Sequence, residues 1–198
     1  MIGRSALGLL LPAFALMVSV PTASAQEGEA PSLPAGFSEP MLLYSAALGS
    51  FTRPISSSNA EAQAYFDQGF QLKYAFAKLD AVRSFREAWK RDPTCAICYW
   101  GEAWAWGPFL NGGMSPNQAH HAYTAIQKAL ALAEDHASPS EKAFIDAMAV
   151  RYVENFDPDK RKEQDTAYVE AMRLVAERYP DDLEAATFYA DALFLLEP

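Results

Sequence analysis

The sequence has few positively charged residues and no long apolar stretch after its first 25 residues. Its 198 residues include 16 lysines and arginines against 25 aspartates and glutamates, a formal net charge of −9. Because affinity for phosphate backbones depends on a positively charged surface, this balance argues against a nucleic-acid-binding protein. No later apolar run approaches the roughly 20 residues of a membrane-spanning helix, so we expect a chain that is not embedded in a membrane.

Recognisable catalytic motifs are also missing. The sequence contains no glycine-rich phosphate-binding loop, no zinc-protease motif and no local signature of a serine–histidine–aspartate site. Acidic pairs such as Asp181 and Asp182 fit helix starts, where carboxylates complement the helix dipole. We therefore predict a binding protein without catalytic residues, a cofactor or a metal site.

Residues 1–25 have the order of a secretory signal peptide. Arg4 is followed by an apolar run over residues 6–20 and by the small residues Ala23, Ser24 and Ala25, which fit a cleavage site. The protein is thus expected to be exported, periplasmic or extracellular. Residues 26–58 are rich in proline and serine and read as an irregular tether, in which residues 41–48 could form a short helical turn against the domain.

From Asn59 onward the apolar residues follow helical periodicity. Asn59 is a candidate N-cap for a helix over residues 60–77, and a second helix is expected over residues 78–91, where Asp92 and Pro93 stop it. The pair carries the spacing of a tetratricopeptide repeat, namely Tyr65, Gly69, Leu72, Ala81, Phe85 and Pro93. Gly69 and Ala81 are small where the helices should cross closely, whereas Gln68 stands where the motif expects leucine.

Further units follow at related spacing. Tyr99 lies 34 residues after Tyr65, a third unit opens with the capping box at Ser138, and a fourth opens at Asp181. We predict an all-α fold in which tetratricopeptide-like helical hairpins, about three and a half units over residues 59–198, stack as a solenoid. The helix after Asp182 is apolar over a wide arc, which predicts either a fragment of a longer protein or self-association through this C-terminal helix.

Three stretches resemble a group of secreted bacterial tetratricopeptide-repeat proteins. They are Tyr-Phe-Asp-Gln-Gly at 65–69, the run from Asp92 to Gly101, and Tyr-Pro-Asp-Asp-Leu-Glu-Ala-Ala at 179–186. The resemblance implies a repeat architecture from about Ser50 onward and carries no settled activity. Members of the group are longer, so the resemblance implies that this chain is an N-terminal portion.

Aromatic residues recur at one turn's spacing on the first helix of the first two units. In a stacked array these helices line the concave face, where aromatic side chains can anchor a peptide. We therefore predict a protein or peptide partner bound at this face. The alternative is that the same rings pack against the preceding segment or later repeats. The predicted partner-binding residues are Phe66, Phe70, Lys73, Tyr74, Trp100 and Trp104.

Cys95 and Cys98 are the two cysteines of the chain. In an exported protein their spacing is compatible with a disulfide, with buried thiols, or with a redox or metal role that His120 or His121 would join. A haem attachment site is excluded because Tyr99, not histidine, follows the second cysteine. The alternatives to a partner-binding scaffold are therefore a metal or redox protein and a structural assembly unit.

Overall fold

The computed structural model describes residues 31–44, 46–109 and 112–197; the predicted signal peptide lies outside them. The described residues form seven α-helices and one short 3-10 turn, Pro158–Lys160, with no β-strand, which confirms the all-α prediction. The helices are α1 (Ala60–Tyr74), α2 (Lys78–Arg91), α3 (Ala96–Trp106), α4 (Pro116–His136), α5 (Pro139–Ala149), α6 (Arg161–Arg178) and α7 (Leu183–Phe194).

Side-chain caps set most of the helix starts. Asn59 and Asp182 accept backbone N–H bonds at the starts of α1 and α7. Ser115 and Ser138 form complete capping boxes before α4 and α5, each with proline in the first turn. These caps satisfy N–H groups that have no partner within the helix, which fixes where each helix begins.

Helix α1 ends three residues earlier than the sequence predicts. The chain turns at Phe76, whose φ of 63° lies in the left-handed region that costs a side-chain-bearing residue roughly 1–2 kcal/mol. No glycine or proline marks this turn, so the sequence carries no stop signal here. The Phe76 ring lies 4.9 Å from that of Phe109, beside the cavity described below.

Phe85 of α2 fills the crossing between α1, α2 and α3. Its ring is fully buried and lies against Gly69 of α1 and Gly101 of α3. The buried Ala81 stands one turn earlier on α2. Each helix packs against the next one along the chain, and α3 also packs against α1 and α5. The small residues let α1 and α3 both approach the same aromatic ring closely.

Residues 31–44 and 46–58, here called the strap, are irregular and packed against the helices. Phe37 and Met41 are buried, and the Phe37 ring stacks on Trp106 at 5.7 Å. Gln68 accepts a bond from the Tyr44 backbone N–H at 2.7 Å and donates to the Leu42 carbonyl at 2.9 Å. The expected helical turn over residues 41–48 is not formed in the described residues, because the strap backbone pairs with α1 side chains instead.

Arg53 connects the strap to α7. Its guanidinium donates two bonds to the carboxylate of Asp182, at 2.9 and 2.8 Å, and lies 4.8 Å above the Phe144 ring. The Asp67 carboxylate accepts the Arg53 backbone N–H at 3.0 Å. The strap thus joins α1 and α7, which are far apart in sequence.

Candidate functional site

The predicted aromatic stripe is buried. Phe66, Phe70, Trp100 and Trp104 are at most 4% exposed, and the Phe70 and Trp104 rings lie 4.8 Å apart. Such closely spaced, tilted rings are typical of a packed aromatic core. The helical spacing predicts that these four residues share one face, and their rings do lie in one cluster.

An open groove at this stripe was the wrong expectation. Phe51 of the strap stacks on Phe70 at 5.3 Å, and Phe188 of α7 lies 4.8 Å from Trp104 and 5.2 Å from Trp100. The rings therefore pack against the preceding segment and a later helix. The physical reason is the apolar area of the stripe, which is more stable when covered by the chain's own aromatic side chains than when exposed to water.

One end of the stripe remains accessible as a cavity of about 270 Å³, here called the Lys73 cavity. It lies between the C-terminal end of α1, the turn after α3, and α7. Tyr74 and Phe194 are 45% and 55% exposed at its edge. The aromatic side chains that line it are Tyr74, Phe76, Trp104, Phe109, Phe188 and Phe194. Three of the six predicted partner-binding residues, Lys73, Tyr74 and Trp104, thus line an accessible space.

Lys73 brings an amine into this aromatic wall. The residue is 4% exposed, and its Nζ donates to the Gly107 carbonyl at 3.3 Å and lies 4.0 Å from the centre of the Phe109 ring. Burial, together with the nearby cations Lys78 and Arg151, lowers the pKa of Lys73 to about 7. A large fraction of this amine is therefore uncharged near neutral pH.

Asp191 of α7 lines the same cavity. Burial raises the pKa of its carboxyl group, opposed by the positive charges of Arg151 and Lys73. The cavity consequently holds an amine and a carboxyl group whose pKa values are displaced toward each other. An amine and a carboxyl group held in one cavity can exchange protons with a bound ligand.

Arg151 forms a buried cation near Lys73. Its side chain is fully buried, its guanidinium lies 4.8 Å from the Tyr168 ring, and none of its three nitrogens donates a hydrogen bond within the described residues. Asp165 lies 3.8 Å away but is hydrogen-bonded to Arg161 instead. The positive charge of Arg151 adds to the lowering of the Lys73 pKa and opposes the raising of the Asp191 pKa.

Cys95 and Cys98 are joined by a disulfide at the start of α3, with their Cα atoms 5.3 Å apart. His121 stacks on Trp106 at 4.8 Å, half-buried, and burial lowers the pKa of its imidazole. In the part of the chain that the structure describes, no group of three histidine, cysteine, aspartate or glutamate side chains is arranged to hold a metal ion.

Sequence reasoning missed Asp191, Phe109 and Arg151. Asp191 stands among the mostly apolar residues of α7, and Phe109 lies in the turn after α3. Neither residue belongs to a periodic pattern that would predict a site. Arg151 follows α5 and shows no periodicity that would predict its burial. Only the unusual combination of a lysine and a tyrosine next to the stripe, at Lys73 and Tyr74, pointed to this end of the face.

None of the described helices combines the length and apolar character needed to cross a bilayer. When the chain was compared with protein-family models, curated proteins and solved structures, none of them matched it.

Proposed function

We propose that this chain is an exported tetratricopeptide-like repeat scaffold that binds a protein or peptide partner. In this proposal residues 1–25 direct export, and the helix pairs stack as a solenoid. Packing of each helix on the next, with small residues around Phe85, supports that arrangement. The resemblance to secreted bacterial tetratricopeptide-repeat proteins supports the same assignment.

The Lys73 cavity carries the proposal. It is an accessible concavity lined mainly by aromatic side chains, and aromatic pockets of this kind hold the anchor residues of peptide partners. The turn at Phe76 adds support, because left-handed backbone at residues other than glycine concentrates at ligand sites. We infer that an apolar side chain of the partner enters the cavity.

A displayed peptide library selected on residues 26–198 would supply a ligand for the test. Affinity of a selected peptide is then measured by calorimetry for the wild type and for Ala190→Trp, which fills the cavity from an exposed position of α7. Ala186→Trp is the matched control, since Ala186 is also exposed on α7 but does not line the cavity. We expect binding to weaken about tenfold or more, roughly 1.4 kcal/mol, only in Ala190→Trp. Equal affinity of both variants would refute the proposed site.

Self-association through α7 is a second candidate function. Leu183, Leu193 and Phe194 are 79%, 42% and 55% exposed on this helix, and such side chains favour burial in an interface. Light scattering over a range of protein concentrations tests it. A monomer at all concentrations would eliminate this candidate and leave the partner-binding proposal unaffected.

A further inference from the structure

Lys73 combines three features that are rarely found together on a lysine. It is 4% exposed, it lines a cavity whose other walls are mainly aromatic, and it has a carboxyl group, Asp191, in the same cavity. A buried lysine destabilises a fold unless its amine is used or well compensated. The one hydrogen bond that Lys73 donates in the described structure, to Gly107, does not use the lone pair of the uncharged amine.

The charges around Lys73 favour the uncharged amine. Lys78 at the start of α2 and Arg151 after α5 are both cations that act on it, and Asp191 on α7 acts in the opposite sense. The pKa of Lys78 is itself lowered, to about 8, by burial and by Arg151. Removal from water and adjacent cations are the two ways in which proteins convert a lysine into a nucleophile.

We propose that Lys73 is a carbonyl-reactive amine that captures an apolar aldehyde or ketone in the Lys73 cavity as a reversible imine. An aromatic aldehyde fits the site best, because Trp104, Phe109 and Phe188 provide apolar walls for a ring. A dry apolar cavity of about 150 Å³ holds a benzene molecule, and about 270 Å³ leaves room for the carbonyl group as well.

The reaction balances without an oxidant or a reductant. The Nζ lone pair attacks the carbonyl carbon, the C=O π electrons move to oxygen, and proton transfer from nitrogen to oxygen gives a carbinolamine. The nitrogen lone pair then forms the C=N bond while the hydroxyl group leaves as water. Asp191 lines the same cavity, and in this proposal its carboxyl group accepts the proton from nitrogen and donates one to the departing hydroxyl group.

This inference goes beyond partner binding, since it concerns covalent chemistry with a small molecule. Benzaldehyde and sodium cyanoborohydride, added together at pH 7, test it directly. The hydride reduces an imine to a stable secondary amine, so each reacted lysine gains one benzyl group that peptide mass mapping locates. Exposed Lys128 serves as the internal reference.

We expect benzyl transfer to Lys73 about tenfold or more faster than to Lys128, because burial and the cations Lys78 and Arg151 favour the uncharged amine at Lys73. Ala190→Trp should block labelling of Lys73, whereas Ala186→Trp should not. Asp191→Asn should slow it, and Lys78→Arg should leave Lys73 the preferred site. Thr187→Trp, at another exposed cavity position, repeats the blocking test if Ala190→Trp does not fold.

Labelling of Lys73 no faster than of Lys128, or equally fast with the cavity filled, would overturn the inference. Circular dichroism of each variant establishes that the fold is intact. Failure of this test leaves the peptide affinities of the proposed function unaffected, because those measurements use no aldehyde. Conversely, benzyl labelling of Lys73 can succeed even if no peptide is selected from the library. Failure of the peptide-binding proposal and failure of the imine proposal are therefore distinguishable.

Discussion

Replacing Gly101 by alanine places a methyl group against the fully buried Phe85 ring. An ideal Cβ at Gly101 would have three ring atoms within 2.9 Å, closer than carbon atoms approach without something moving. At Gly69, which lies against the same ring, the three nearest ring atoms lie 3.0 Å from an ideal Cβ. Both glycines are inside helices, so alanine gains the same helix propensity at each position. The two substitutions differ in how closely the new methyl group approaches the Phe85 ring.

The expected free energies follow from two opposing contributions. Glycine to alanine inside a helix stabilises by about 1 kcal/mol. Overpacking a core costs about 1–3 kcal/mol, and the upper end applies to Gly101 because the ring is enclosed and cannot move away. We expect Gly101→Ala to destabilise by about 2 kcal/mol, which lowers the melting temperature by roughly 4–8 °C in a domain of this size. Gly69→Ala is expected to be close to neutral.

Thermal and urea unfolding monitored by circular dichroism measure both effects. The double variant Gly101→Ala with Phe85→Leu tests the cause, because a smaller side chain at residue 85 should reduce the cost of the new methyl group. If Gly101→Ala stabilises the protein by the propensity gain alone, or if Phe85→Leu does not change its cost, the reasoning is refuted. A larger loss for Gly69→Ala than for Gly101→Ala would contradict the geometry.

Three further predictions concern charge and oxidation. Arg53→Met should cost about 1–3 kcal/mol at pH 7, since two charged hydrogen bonds to Asp182 are lost. Arg53 holds the pKa of Asp182 below its usual value, so the stabilisation is complete above about pH 3.9 and is lost as the pH falls through the lower folded value. A stability gap that does not narrow as the pH falls below about 3.9 would be inconsistent with this. Lys73→Met should stabilise the folded protein at pH 7, and this gain should shrink toward pH 10. The reason is that, between these pH values, the Lys73 amine of the wild type is protonated mainly in the unfolded chain. Equal unfolding curves of the two proteins at pH 7 would count against this prediction. Mass spectrometry of the unreduced protein should find a mass two hydrogens lower than that of the dithiol, because Cys95 and Cys98 are joined. Reduction should lower the free energy of unfolding by only about 2 kcal/mol or less, since the closed loop is short. Two thiols that alkylate without reduction would disprove the disulfide.

Gln68 illustrates where sequence reasoning stopped. In the repeat spacing it stands as a departure from leucine, with no reason visible in the sequence. In the structure it is 3% exposed and holds the strap through the backbone of Tyr44 and Leu42. The polar side chain is explained by a partner 24 residues or more away in the chain, which local spacing does not reveal.

Helix positions were determined largely by the sequence alone, because caps and stops act within one turn of the chain. Asn59, Ser138 and Asp182 cap helices where the sequence predicts starts, and α2 has the expected bounds over Lys78–Arg91. Early termination of α1 at Tyr74 could not be read in this way, since Phe76 adopts its left-handed backbone without a glycine.

Only the tertiary structure decided which apolar face is covered and which stays accessible. The helical spacing placed Phe70 and Trp104 on one face, but Phe188, more than 80 residues further along the chain, covers them. The same packing leaves Lys73 and Asp191 in one cavity, where burial displaces their pKa values toward each other and Arg151 further lowers that of Lys73. Burial and charge act through space, so the sequence pointed to Lys73, Tyr74 and Trp104, whereas only the fold brought Asp191 and Phe109 to them and determined the chemistry of the site.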